Sequence, residues 1–295
     1  MGLSTAYPLS SLRPPPLSGS SPPTILVVEK DFSYRHNSAL LSAGGIRQQF
    51  SLSENVAMSM YGGEFVRGNR EELQFQERGY VFLAGSEGGR EILLKNERVQ
   101  RGAGCLTTKC IGKEELERRY GSWMNTDDVT AAGVSDGGEG WFDPMSLLSL
   151  YRRSCERSGN CKFVGGSVVG VEYDDESKKR RIVSATVEDA ATNTRTKYHV
   201  NNVVNAAGAS ASDLLENTLR YPNFNPDYFP VRPRKRCIFF FKCKDPRRPR
   251  APMVIDYNGV YFRSEGENYI CGVSPEEQED LDVLDLEELD VVDYR

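Results

Sequence analysis

"GLSTAYPLSSL" (residues 2–12) reads as a helix with a glycine at its head. Small residues stand at 2, 4 and 6, and Leu3 and Tyr7 fall on one face. Pro8 opposes that reading, because a proline past the first turn lacks the N–H that closes a helical hydrogen bond. Downstream, "RPPPLSGSSPP" (13–23) can only be a loop. "TILVVEKD" (24–31) is a short apolar run ending on Glu29, the pattern of a buried parallel strand.

Helix, loop, strand and acid, in that order, form the later part of a dinucleotide-binding βαβ unit. In such a unit the third glycine of G-x-G-x-x-G lets the helix pack closely on the sheet, and an acid at the end of the second strand accepts hydrogen bonds from the ribose. Gly2 takes the place of that third glycine, and Glu29 that of the acid. Their spacing of 27 exceeds the usual ~20, and the proline-rich loop accounts for the excess. This reading expects a strand and two further glycines ahead of Gly2. Spacing alone leaves a second reading open, an ordinary helix–strand pair with a charged residue at the strand exit.

Composition narrows the alternatives. The chain has 295 residues, 39% hydrophobic and 27% charged, enough apolar material for one large domain or two ordinary ones. A net charge of −5 argues against nucleic acid as the main partner. No apolar run approaches the roughly 20 residues of a membrane span. The seven cysteines show no C-x-x-C pair, and with only His36 and His199 a metal site is not expected. No G-x-S-x-G elbow is present. "MGLSTA" has the Gly2 of a myristoylation signal but Ala6 where Ser or Thr is required. Residues 1–28 contain no acid, yet only Arg13 is basic, so they make a poor transit peptide.

Further along, "SALLSAGGIRQQFS" (38–51) is a glycine-bearing loop leading into a helix through about residue 70. Residues 78–86 read as a strand, and 90–104 and 112–123 as helices. "DGGEGWFDPMSLLSLYRRSCERSG" (136–159) is a loop and a helix, with Asp143 as N-cap, Pro144 as first residue and Gly159 as stop. Leu147, Leu150, Tyr151 and Ser154 form its inner face. Residues 161–174, 181–189 and 197–208 read as three successive strands, and 234–243, 253–257, 260–265 and 268–273 as antiparallel ones. Residues 276–295 carry ten acids and a Leu/Val stripe. The expected fold class is α/β with an α+β insert: a nucleotide-binding, Rossmann-like layer and an antiparallel substrate sheet. The corresponding boundaries are 1–75 and 136–215 for the nucleotide-binding domain, and 76–135 and 216–295 for the cap.

"GLSTAYPL…ILVVEKD" resembles the opening of FAD-dependent oxidoreductases of the D-amino-acid oxidase superfamily. "LSAGGIRQQFSLSENVAMS", "EGWFDPMSLL", "VVNAAGA", "VRPRKRCIFFF" and "NGVYFRSEG…SPEEQED" are similar, in the same order, to a mitochondrial branch of that superfamily implicated in assembly of respiratory complex I. The resemblance covers nearly the whole chain. It implies that Gly2, Glu29 and Lys30 meet the adenosine end of FAD, and that Ser38, Ala39, Ser42, Gly44, Gly45 and Ile46 line the pyrophosphate and flavin ring. It also implies backbone contact from Val168 to the adenine, and Ala206, Ala207 and Gly208 beside the ribitol. Glycines there admit backbone N–H groups to an anion without a Cβ in the way. Two departures matter. Ser210-Ala211 stand where the superfamily commonly has Trp-Ser. Leu41 stands where some relatives attach flavin through histidine, which implies a non-covalent cofactor. The superfamily pattern also extends before Gly2 and past Arg295, so the chain is expected to be incomplete at both ends.

The chemistry so implied is removal of hydride from the C–N bond of a small amine or amino acid, with the flavin as acceptor and no obvious general base in the chain. Candidate substrate contacts are Arg234 or Arg236, placed for bidentate grip on a carboxylate; Arg47, beside the glycine loop; and Tyr261 with Arg263, which alternate onto one strand face. A contrasting reading makes the flavin fold a scaffold for complex I assembly intermediates, with marginal turnover.

Overall fold

The structure, a computed structural model, describes residues 1–12, 22–35, 37–174, 181–218, 229, 231–244, 250–276 and 278–280. In chain order its elements are α1 (Gly2–Ser11), β1 (Ile25–Glu29), β2 (Gly45–Ile46), α2 (Ser53–Gly68), β3 (Tyr80–Ala84), α3 (Glu87–Gly102), β4 (Thr108–Gly112), α4 (Lys113–Tyr120), β5 (Ala131–Ser135), β6 (Gly140–Trp141) and α5 (Pro144–Ser158). They continue with β7 (Cys161–Asp174), β8 (Arg181–Asp189), β9 (Arg195–His199), short helical turns over 208–218, β10 (Phe239–Phe241), β11 (Met253–Ile255), β12 (Tyr261–Glu265) and β13 (Asn268–Gly272). The described residues divide into two compact units, one within 1–41 and 147–235, the other within 42–146 and 236–280. Most of residues 13–23, "RRPR" (247–250) and the acidic tail fall outside the described residues.

The first unit carries the sheet β1-β7-β8-β9. β1 runs parallel to β7, Glu29 opposite Gly165, and β7, β8 and β9 follow as an antiparallel meander. α1 buries Leu3, Ala6 and Ser10 and continues through Pro8 to Ser11. Its end is fastened by Asn160, whose amide donates to the carbonyls of Ser10 (3.4 Å) and Pro23 (2.9 Å). Tyr7 of α1 packs on Tyr151 of α5, with ring centroids 5.2 Å apart. β1 is parallel as expected, but it is not buried: all five residues are half-exposed. Among the described residues it is the edge of this sheet, paired only with β7, and an edge strand leaves part of each side chain uncovered. The strand expected over 197–208 ends at His199, short of "NAAG".

The second unit is built on the sheet β10-β13-β12-β11-β3-β5-β4. Neighbours are antiparallel except β11 and β3, which run parallel and join the late hairpins to the early strands. One face is closed by Val81, Ile111, Leu116, Val129, Ala132, Val134 and Val254, with Trp123, Met124 and Phe262 around them. On the opposite face lie Tyr80 and Phe82, their rings stacked at 6.2 Å, and beside them β2 and β6, which pair Gly45 with Trp141. α5 begins as expected: the Asp143 carboxylate accepts the Ser146 N–H at 2.8 Å. From Leu147 onward α5 belongs to the first unit, where it buries Leu150 and Cys155.

Candidate functional site

In the first unit, the residues expected to meet the nucleotide lie at the start of α1, the end of β1, a turn at 37–39, a bulge within β7 and the turn after β9. Gly2 opens α1, and a Cβ on it would lie 3.5 Å from the Ala206 Cβ, so the structure brings two of these positions together. Glu29 closes β1 and accepts the Asp31 N–H at 3.2 Å, and Lys30 beside it is exposed. Ser38 and Ala39 sit on an exposed turn held by Asn37, whose side-chain oxygen accepts the Ala39 N–H at 2.8 Å. Val168 stands at a bulge in β7, where the ladder to β8 shifts before Gly170, freeing backbone from regular pairing. Ala207 and Gly208 are exposed, and Gly208 adopts φ +59° with open space where a Cβ would be. Asn205 shapes this turn: its amide donates to Ala211 O (2.8 Å) and its oxygen accepts the Ala207 N–H (3.2 Å). Near Glu29, Arg152 lies over the rings of Phe32 (4.9 Å) and Phe163 (5.3 Å). The Tyr34 hydroxyl there is raised above its ordinary pKa by burial.

In the second unit, the glycine loop is held at nearly every peptide. The Ser42 hydroxyl accepts the Gly44 N–H at 3.2 Å, and the Gly44 carbonyl accepts the Phe142 N–H at 3.0 Å. Arg263 donates to the Ala43 carbonyl at 2.8 Å. Glu139, fully buried, accepts the backbone N–H groups of Gln48 and Gln49 and the Gln49 side-chain amide, the last two at 2.9 Å. The Ser59 hydroxyl donates to the Arg47 carbonyl. The Gln48 side-chain oxygen accepts from the Cys105 thiol (3.0 Å) and the Thr107 hydroxyl (3.1 Å). Gly44 has φ +62°, and a Cβ on it would strike the Phe142 carbonyl; one on Gly45 would strike the Tyr80 hydroxyl. Burial, with the Glu139 charge adding to it, pushes that hydroxyl up to about 12.

Arg47 projects from this loop over the rings of Phe50 (4.5 Å) and Phe82 (5.4 Å). Among the described residues, no carboxylate or carbonyl meets its guanidinium. The other candidates differ. Arg236 is gripped in bidentate fashion by Asp280, at 2.6 and 2.7 Å. Arg234 is exposed and lies in the first unit, so the structure assigns the two arginines of "RKR" to different units. Arg263 is buried, stacks on Trp141 at 4.8 Å and donates to Glu265 and to the Ser264 carbonyl (2.8 Å). Its Nε–H has no hydrogen-bond partner among the described residues. Tyr261 is half-exposed and leans across β13, its hydroxyl 2.5 Å from where a Gly272 Cβ would stand. Sequence reasoning passed over Glu139 and Trp141. The signal was present in "EGW", a lone acid between glycines followed by an aromatic, but it looks like a solvated turn.

These features fit FAD. Small or glycine positions stand where the FAD reading expects backbone near an anion, an acid ends β1, and a pinned glycine loop carries Arg47, whose guanidinium has no anionic partner among the described residues. The chain matches the family "FAD dependent oxidoreductase" (DAO) over residues 1–293. It is 35% identical over 322 residues to FAD-dependent oxidoreductase domain-containing protein 1 of Bos taurus, covering 100% of this chain and 63% of that protein. It is 34% identical over 293 residues to the Xenopus laevis protein of the same name, covering 89% and 57%. Among solved structures, L-proline dehydrogenase from P. horikoshii matches with TM-score 0.73 and 22% identity, over 92% of this chain and 66% of that one. The chain therefore belongs to the FAD-dependent oxidoreductase family, whose cofactor is FAD. It spans 57–63% of the length of the two curated relatives.

Proposed function

We propose that the protein carrying this chain binds FAD non-covalently and oxidises a C–N bond of a small amino acid or amine, leaving an imine. The observation that carries the reading is Arg47, a guanidinium stacked on Phe50 and Phe82 with no anionic partner among the described residues. A planar fork held by two rings is pre-organised for a carboxylate. FAD, when bound, supplies the two-electron acceptor. Arg47 orients the substrate, and the clamps on residues 43–49 keep its backbone fixed. Glu29 serves the ribose, and Leu41, 60% exposed, offers no atom for a covalent flavin link. L-proline dehydrogenase, which shares the fold, is by its name an enzyme of an amino acid, in keeping with this substrate class.

The test is anaerobic mixing of the full-length flavoprotein with a panel of amines and amino acids, following loss of the visible flavin absorbance. Reduction by at least one carboxylate-bearing amine is expected, with Arg47→Ala lowering kcat/KM by about 10²-fold or more, the scale of an unpaired charge contact in a closed site. Bound flavin that no member of the panel reduces would count against the proposal.

A second reading rests on β10. Phe239, Phe240 and Phe241 are 42%, 64% and 40% exposed at the end of the seven-stranded sheet, an aromatic edge of the kind protein partners cover. On that reading the protein is mitochondrial and serves complex I assembly through this edge. Charged replacements in β10 that block co-purification with complex I intermediates, while Arg47→Ala leaves it intact, would favour it.

A further inference from the structure

The second unit carries a row of apolar residues that none of the loop contacts uses. In register, Phe82 of β3 faces Ile255 of β11, Ile255 faces Tyr261 of β12, and Tyr261 faces Gly272 of β13. Residues opposite one another in a ladder share a face of the sheet. The face is the one Arg47 stacks against, since its guanidinium lies over the Phe82 ring. An apolar row therefore starts under Arg47 and crosses three strands, each about 4.8 Å from the next.

Two features keep this row from being ordinary core. Phe82, Ile255 and Tyr261 are each only half-buried, whereas their neighbours on the other face, Val81 and Val254, are 1% exposed. Gly272, where any side chain would block Tyr261, lets its ring lie toward β13 instead of standing over Ile255. The cation at one end of the row says which occupant suits it. A bulky apolar group alone would leave Arg47 unpaired, and a small anion alone would leave the row wet.

We propose that the Phe82–Ile255–Tyr261 row is the subsite for the substrate's side chain, so that the substrate is a carboxylate bearing an apolar group of leucine or phenylalanine size. The inference rests on Arg47 being the carboxylate anchor. Glycine and N-methylglycine would be poor ligands, because they carry nothing to cover the row.

The test is calorimetric binding of acetate, hexanoate and phenylacetate to the oxidised full-length holoprotein, which requires no turnover. Each buried methylene contributes about fourfold in affinity, so hexanoate and phenylacetate should bind at least about tenfold tighter than acetate. Ile255→Thr and Tyr261→Ser should shrink that ratio to below about threefold while acetate affinity stays unchanged. Tyr261→Phe, which keeps the ring, should preserve it. Arg47→Ala should weaken all three ligands together. Equal binding of the three by the wild-type protein overturns the row and leaves the anchor standing. Failure of any carboxylate to bind overturns the anchor, and the row with it.

Discussion

The two units hold their share of the candidate cofactor residues in opposite ways. In the second, the loop 42–49 is fastened by the protein itself: Glu139, Arg263, Ser59 and the Phe142 N–H each take up a peptide group. In the first, Lys30, Ser38, Ala39, Ala207 and Gly208 are exposed, and Glu29 receives one long hydrogen bond from its own turn. The difference separates two kinds of site residue. Groups that must be rigid before a ligand arrives are saturated with internal bonds. Groups that receive a ligand stay exposed to it, whatever local bonds shape their turns. Substitutions should therefore strike stability in the second unit and cofactor affinity in the first, and each outcome below checks that separation in the full-length protein.

The largest effect is expected at Glu139. Glu139→Ala removes the acceptor of two backbone N–H groups and one amide in a fully buried place. Leaving such donors unpaired should destabilise the protein by about 3–5 kcal/mol, seen as a lowered midpoint in urea unfolding. Glu139→Gln keeps one acceptor oxygen and should recover part of that loss. Wild-type stability in Glu139→Ala would mean the loop does not depend on this clamp.

Gly44→Ala comes next. It adds a Cβ against the Phe142 carbonyl at φ +62°. Left-handed backbone alone costs a non-glycine residue about 1–2 kcal/mol. With the collision, the expected loss is about 2–4 kcal/mol.

A smaller effect concerns acid. Burial works to raise the Glu77 carboxyl, but the Gly138 N–H and the guanidinium groups of Arg67 and Arg70 outweigh it and hold its pKa below the ordinary value. A carboxylate with a lowered folded pKa adds stability above the unfolded pKa, and that contribution disappears as pH falls through the folded value. Glu77→Gln should therefore lower stability at neutral pH by about 1 kcal/mol and flatten its decline below about pH 4. Unfolding midpoints measured against pH in both proteins check this.

How much of this was legible beforehand follows the same division. Residues that act through backbone geometry are readable, because glycine and proline announce themselves: Gly2 heads α1 and Asp143-Pro144 starts α5, both as expected. β4, β5 and β6 were not read. "AAGVS" lacks the β-branched and aromatic residues that mark strands, and takes its form from β3 and β4 on either side. The uniformly apolar "ILVV" predicts a buried strand at β1, yet burial depends on the neighbours a strand finds, which a local run cannot show. Glu139 was invisible for a related reason: its partners, Gln48 and Gln49, lie some ninety residues away.

The sharpest form of the comparison places one substitution in both units. Gly2→Ala adds the same methyl group as Gly44→Ala, but at ordinary contact distance from the Ala206 Cβ, 3.5 Å, and inside a helix, where alanine is the better helix former. The protein alone has no reason to resist it, and stability should change by no more than about 0.5 kcal/mol in either direction. If Gly2 instead keeps its Cβ position clear for FAD, the added methyl should weaken the cofactor by about tenfold or more while unfolding of the apoprotein stays as in wild type. Equilibrium dialysis against FAD and urea unfolding of the apoprotein, measured on the same preparation, separate the two. A Gly2→Ala protein that holds FAD as tightly as wild type would show that the glycine serves helix packing alone, and the residues of the first unit would lose their standing as a cofactor surface.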